Sequence, residues 1–510
     1  MKKKFANIFL LIMLILVSFY FTSCKNNTNS KRNEVVPEVP NDLNSTNVNK
    51  DEKNKNGIKE EINKPKISIS RAFFPYSMKE KIIFTKECEN EEFSICVANL
   101  SNDSLLEISP FPLGESEAEF LNLCDVSPDG EKIAFSFFNG NDKEIYIVGI
   151  DGKNLINLSN DHTKNDEYPS FSRDGEKVAF IKNADNNKRE IYLVKIDGTN
   201  LINLSNSPES DDYYPVFSLD SKKLFLISDK DGNKEIYSVN ADGTNLRNLT
   251  EDQGDEEFFE LSPDGKIIAY SSVENEKVKI YLMNTDGSNK KIITDKLIEC
   301  GALIWSPNGE KLAIEGKMKN PSLGTYPNLN DIFLVDKDGK NFHNFTNTPM
   351  NKEFFGYWSS TGSKFTFDQY LSDAWVDSVA FTADVSTEKY KPIELPPDYP
   401  IYGYWNSNGK FSPNEKKILY GICIDRGTWD LCVANDKGKF LKRITETTPD
   451  EGTGVISYEW FNDSNWIAYT YNIETIPPRP SNSKLFVENI DTGERIELSF
   501  IESMYIKVIH

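Results

Sequence analysis

The stretch SPDGEKIAF, Ser127 to Phe135, decides the fold. A serine two residues before an aspartate invites reading as a nucleophile beside an acid. Near-copies follow, however: SRDGEKVAF from Ser172, SLDSKKLFL from Ser218, SPDGKIIAY from Ser262 and SPNGEKLAI from Ser306, spaced 45, 46, 44 and 44 residues apart. One catalytic serine does not recur five times. A proline that presets φ, a turn glycine and a hydroxyl able to accept a local N–H describe a bend between two strands.

Each unit repeats one internal order. After the bend comes a β-branched and aromatic run such as Lys132 to Phe138, then a polar break, then a second run such as Glu144 to Ile150. A second turn follows, Asp-Gly, at Asp151, Asp197, Asp242, Asp286 and Asp338, and a short strand ending in LINLS, LRNLT, KIIT or FHNFT. Asp-Gly between alternating runs signals a hairpin. A period near 45 residues with four strands per unit is that of a propeller blade. Weaker copies lie upstream, from Phe74 to Leu100, and downstream at Ser359, Ser412 and Phe461.

This pattern resembles the TolB-like propeller repeat, also called the WD40-like PD40 repeat, whose Ser-Pro-Asp-Gly, Lys-Ile-Ala-Phe, Ile-Tyr and Asp-Gly elements are matched best from Asp125 to Thr294. The resemblance implies an all-β chain forming a single β-propeller of four-stranded blades, and it is nearly silent on activity. Nine units are countable. Common propellers have roughly four to eight blades, and a closing strand from Met504 to His510 would let the terminal units share one blade, so we expect eight, within a range of seven to nine.

Three domains are expected. Lys2, Lys3 and Lys4 before the apolar run Phe5 to Phe21 make residues 1–23 an export signal. Ser23-Cys24 resembles a lipoprotein cleavage box, with Phe21 where leucine is usual, and would make Cys24 the lipidated residue. Residues 24–66 are rich in Asn, Lys, Glu, Ser and Pro and read as a disordered tether. Residues 67–510 form the propeller. The location expected is a bacterial membrane facing the periplasm or cell exterior, with contact through the lipid anchor only. The net charge of −21 excludes nucleic acid as a partner and favours an envelope protein or basic peptide.

Candidate binding residues sit on the side opposite the short turns. Acids precede the first strand of successive units: Asp166, Glu167, Asp211, Asp212, Asp255, Glu256, Glu353, Asp450 and Glu451, expected to form a circle of carboxylates at the mouth of the ring. Long insertions on that side, such as Lys317 to Asn330, bring Tyr326 and Trp375, and the DRGTW turn brings Trp429. Aromatics beside acids suit peptide or sugar recognition. Hairpin placement in an exported chain suggests disulfides Cys88 with Cys96 and Cys423 with Cys432.

Only His162, His343 and His510 are present, without zinc spacing, and no Gly-x-Ser-x-Gly elbow occurs. No catalytic residue and no cofactor is expected. Calcium at oxygen-rich loops, Asp229 to Asn233 or Asp185 to Asn187, is a weaker reading, since no twelve-residue calcium loop is complete. The function expected is a monomeric, lipid-tethered protein-binding scaffold. The alternative is a glycan-binding or glycan-processing propeller, a glycosidase or lyase, which would need paired carboxylates about 5 to 10 Å apart.

Overall fold

The computed structural model describes residues 66–71, 81–88, 92–100, 104–112, 124–138, 142–161, 164–183, 188–275, 277–318, 330–348, 351–370, 378–397, 399, 406–425, 428–447, 454–472, 483–498 and 506–509. The export signal, the tether before Lys66 and lipidation at Cys24 lie outside the described residues. Pro65–His510 is one compact unit.

The repeated bend is built as its residues dictate. The Ser127 hydroxyl donates to Asp129 Oδ1 at 2.5 Å and accepts from the Lys132 N–H at 2.9 Å, while Gly130 N donates to the Ser127 carbonyl at 2.7 Å. Gly130 has φ 68°, a left-handed conformation that glycine adopts without strain. Ser172, Ser218, Ser262, Ser306 and Ser412 make the same bonds five residues on. These serines are turn-formers. The second turn is held by its own aspartate, as where Asp197 Oδ1 accepts from Thr199 N.

Each bend joins a first strand to a second in an antiparallel pair, and each unit runs first, second, third, fourth across its sheet. In the unit after Lys164 these are Asp166–Phe171, Lys177–Asn183, Arg189–Lys195 and the two-residue Ile202–Asn203. The middle strands are almost wholly buried because both faces pack on neighbouring sheets. Val178 and Phe180 meet Ile145 and Leu158 of the preceding unit, whereas Ala179 and Ile181 meet Phe225 and Ile227 of the following one. Such burial on both faces is why these strands read as continuous apolar runs.

Cores shared between neighbouring units recur along the chain, and the last unit shares one with the first. Ile82, Phe84 and Cys96 pack with Phe461, Ala468 and Leu485. The closing strand expected at the carboxyl end is present: Ile506–Ile509 pairs with Lys81–Phe84 and takes the first-strand place in that sheet. Lys66–Arg71, beginning one residue inside the expected tether, adds a fifth strand at the other edge.

The described strands make eight sheets, one of them seven-stranded. In that sheet Lys291–Trp305 serves as the fourth strand of one unit and the first of the next. The described strands therefore fall into nine strand groups, within the expected range of seven to nine. The closing strand takes the first place in the first unit and does not merge it with the last.

Neither expected disulfide fits the strand register. Cys432 stands opposite Tyr420 and Cys423 opposite Trp429; Cys96 stands opposite Phe84 and Cys88 opposite Glu92. Cys96, Cys423 and Cys432 are buried thiols. Each turn is placed so that its two cysteines are displaced along the ladder, beyond the reach of a bridge.

Candidate functional site: buried acid locks and a tyrosine wall

Four of the expected acids do not face solvent. Asp166, Asp212, Glu256 and Glu353 are fully buried, each near the start of a first strand and opposite Lys182, Ser228, Ser272 and Gln369 of the second. Each belongs to a lock between blades. An acid opening the third strand of the preceding unit, such as Glu190, Glu235 or Asp331, accepts from the chain that leaves that unit. A hydroxyl on the same segment serves the next unit's acid: Ser207 Oγ donates to Asp212 Oδ2 at 2.6 Å, and Thr348 Oγ1 donates to Glu353 Oε1.

Burial sets the electrostatics of these locks. It pushes Asp166 up to about 7, opposed by the Lys182 ammonium at 3.4 Å. Asp331 and Glu353, which share one lock, are both raised by burial. Glu256 is pushed up to about 10 by burial and then by Asp252 and Glu235. Carboxylates removed from water need donors, and the Ser/Thr pairs at the ends of LINLS-type strands supply them. Those hydroxyls are the partners that sequence reasoning missed.

The other expected residues divide in two. Glu167 is bound to Lys143 at 2.6 Å, and Asp211 takes a two-pronged Arg189 at 2.7 and 2.8 Å. Asp255 is exposed, accepting from Lys234 N at 3.0 Å, and Trp429 is half-buried. Asp450, Glu451, Tyr326 and Trp375 lie outside the described residues. The circle of carboxylates is therefore not a continuous solvent-facing feature of the described residues. In the loop Asp229 to Asn233, Asp229 takes Lys188 and Asp211 N, Asp231 takes Tyr237 and Asn248, and Asn233 donates into the neighbouring lock, so its oxygens are already engaged. Residues 185–187 lie outside the described set.

A second feature runs along the first strands, which face one another across the blades. Trp305, Trp358 and Trp460 each donate from Nε1 to a carbonyl on the first strand of the preceding unit, at Glu260, Ile304 and Lys410, over 3.4, 3.4 and 2.9 Å. Lys410 Nζ lies 5.0 Å from the Tyr357 ring centre and 5.5 Å from that of Tyr458, joining three successive units, and pairs with Glu459 at 2.8 Å. First strands are also where the ladders slip, as between Tyr213 and Val216. At such bulges Tyr168 and Tyr214 take φ of 58° and 63°, each directly before a proline. Tyr214 is 39% exposed and Tyr357 42% exposed. Nearby Glu260 is raised by burial to about 7, with Arg173 opposing.

Residues 115–313 match the family model of the TolB beta propeller domain, PD40. That stretch is TolB-like propeller repeat. No curated protein matches the chain in sequence. Among solved structures it is similar to dipeptidyl peptidase 4 of Porphyromonas gingivalis, at 13% identity and TM-score 0.50, over 81% of this chain and 65% of that one. It is also similar to TolB from Acinetobacter baumannii, at 19% identity and TM-score 0.32, over 52% of this chain and 63% of that one. Oligogalacturonate lyase of Vibrio parahaemolyticus aligns at 14% identity and TM-score 0.41, over 68% of this chain and 94% of that one.

The TolB-like propeller thus presents two arrangements with different chemistry. Its locks are buried between blades, with carboxylates engaged by hydroxyls, an amide or a lysine, and with Glu256 Oε1 left without a hydrogen-bond partner. Its first-strand wall is aromatic, partly exposed and edged by Glu260 and Arg173. The signal for that wall was present in EYPSF and DYYPVF, where a tyrosine precedes proline just after the acids. Only the structure shows that Tyr214 turns outward, while Tyr168 is half-buried and packs against the neighbouring core.

Proposed function

We propose that this protein is a cell-envelope scaffold that binds a segment of another protein against the first-strand wall of its propeller. The observation that carries this reading is the pair Tyr168 and Tyr214, held with left-handed backbone before proline, with Tyr214 exposed. Such conformations cost about 1 to 3 kcal/mol each and persist where the surroundings impose them, most often at binding sites. Rigid, partly exposed tyrosines are favoured anchors at protein interfaces. The net charge of −21, with Asp255 exposed, favours a basic segment. The export signal and Cys24 support attachment to a membrane face by lipid. The acids of the locks hold the scaffold together, and the tyrosines take the partner.

The test is affinity capture from envelope extract with the full-length protein beside a Tyr214→Ala/Tyr357→Ala variant whose fold is checked by circular dichroism. The expected result is a defined protein, identified by mass spectrometry, that the parent retains at low salt, releases as salt rises, and loses in the folded variant. A partner held equally by both proteins would remove the wall as the site. Binding of acidic or neutral oligosaccharides in place of any protein would move the function to glycan recognition.

A further inference from the structure

The lock between the units built on Asp212–Phe217 and Asp255–Leu261 differs in charge from the other locks among the described residues. Three carboxylates, of Glu235, Asp252 and Glu256, each offer an oxygen within 4.8 Å of the other two. Glu235 and Glu256 are buried and Asp252 is half-buried. We propose that this pocket is a binding site for a hard divalent cation of the calcium type.

The comparison that points to a cation is internal to the molecule. Where another lock gains a third acid, it also gains a lysine: Asp161 joins Asp166, and Lys182 sits at 2.7 and 3.4 Å from the two. Where the acid pair stands without such a lysine, hydroxyls or an amide fill the place, as Ser207 and Ser210 do for Asp212, and Thr348 and Gln369 for Glu353. At Glu256 the substitution runs the other way. Asp252 occupies the position of Ser207 and Thr348 after the short fourth strand, and Ser272 occupies the position of Lys182 opposite the first-strand acid. A carboxylate replaces a hydroxyl and a hydroxyl replaces an ammonium. The ammonium at hand, Lys290, lies 3.4 Å from Asp252 Oδ2 and also bonds the Thr250 carbonyl.

A second, independent observation lies across the sheet. The Tyr270 hydroxyl is fully buried with no hydrogen-bond partner, and the acids that bear on it are Asp252, Glu256 and Glu235. Glu256 Oε1 is likewise buried without a partner. Orphaned buried oxygens of this kind call for a ligand. The donors are all oxygen, the set suited to a hard cation, and half-buried Asp252 leaves a side for water to complete a coordination of about 6 to 8. Gly254 permits the close turn, since a Cβ there would lie 2.1 Å from Ser272 Oγ.

The experiment is performed on the full-length protein stripped with chelator. Terbium, whose luminescence nearby tyrosines excite, and calcium itself are titrated in, with thermal unfolding followed in parallel. The expected result is one calcium-displaceable terbium site and a rise in Tm with calcium. Asp252→Ser, which restores the hydroxyl of the sister locks, should fold and lose at least ~10-fold in affinity. Ser272→Lys, which restores the sister lysine, should raise the Tm of the metal-free protein and abolish its response to calcium. No terbium or calcium binding by the parent up to millimolar concentration would overturn the proposal, as would unchanged binding in both folded variants.

Discussion

A serine repeated at every bend makes one measurable contribution per copy. In Ser262, the hydroxyl donates to Asp264 at 2.7 Å and accepts from Ile267 N at 3.0 Å. Ser262→Ala should destabilise by about 1 to 2 kcal/mol in urea unfolding, the cost of unmaking those bonds in a buried place. Ser127→Ala should cost a similar amount, an equivalence no nucleophile would show. Glu315 supplies a pH signature. It is buried, accepts from Phe355 N, and burial pushes it up to about 7 from an ordinary 4.5. An acid that binds its proton more tightly when folded adds stability fully present below its unfolded value and lost as pH rises through its folded value. Stability should therefore fall between about pH 4.5 and 7 through this group, and Glu315→Gln, which keeps an acceptor but cannot ionise, should remove about 3 kcal/mol of that fall in denaturation curves across the range.

Among the elements, the closing strand Ile506–Ile509 ties the two ends of the array. It pairs with Lys81–Phe84, and Val508 packs into the core shared by the first and last units. Removing the chain from Ile506 onward should cost about 3 kcal/mol or more. Amide exchange should accelerate first in Lys81–Phe84, and uniform protection there after truncation would show that the ring is held some other way. Hairpin register carries another prediction. Because Cys423 and Cys432 stand three rungs apart, both should react with a thiol reagent on unfolding without reductant, and reductant should leave the Tm unchanged. A loss of free thiol at these two positions would require a shifted ladder.

Across the whole molecule, the acids divide between architecture and surface. The locks join successive blades through carboxylates whose donors are Ser and Thr hydroxyls, Lys182, Gln369 or Arg443. Charge reversal inside a lock, as in Asp212→Lys, should unfold the junction; reversal at exposed Asp255 should leave stability within about 0.5 kcal/mol. Parallel thermal melts separate the two. The repeat period, turn chemistry and β-branched runs make the propeller legible in the chain itself, because each is a local property of a few neighbouring residues. The carboxylates are legible as a series but not in their role, since SPESDDYY and the LINLS strand preceding it do not show that Ser207 turns onto Asp212.

The sequence by itself determined the four-stranded unit, the bends that build it, its repetition and the strand that closes it. Those features depend on φ preferences, hydroxyl caps and apolar alternation within one unit. Tertiary structure alone decided the register that separates the hairpin cysteines, the burial of the acids and the outward turn of Tyr214. Each of these depends on register between strands and contact between blades, where a shift of one residue exchanges core for surface.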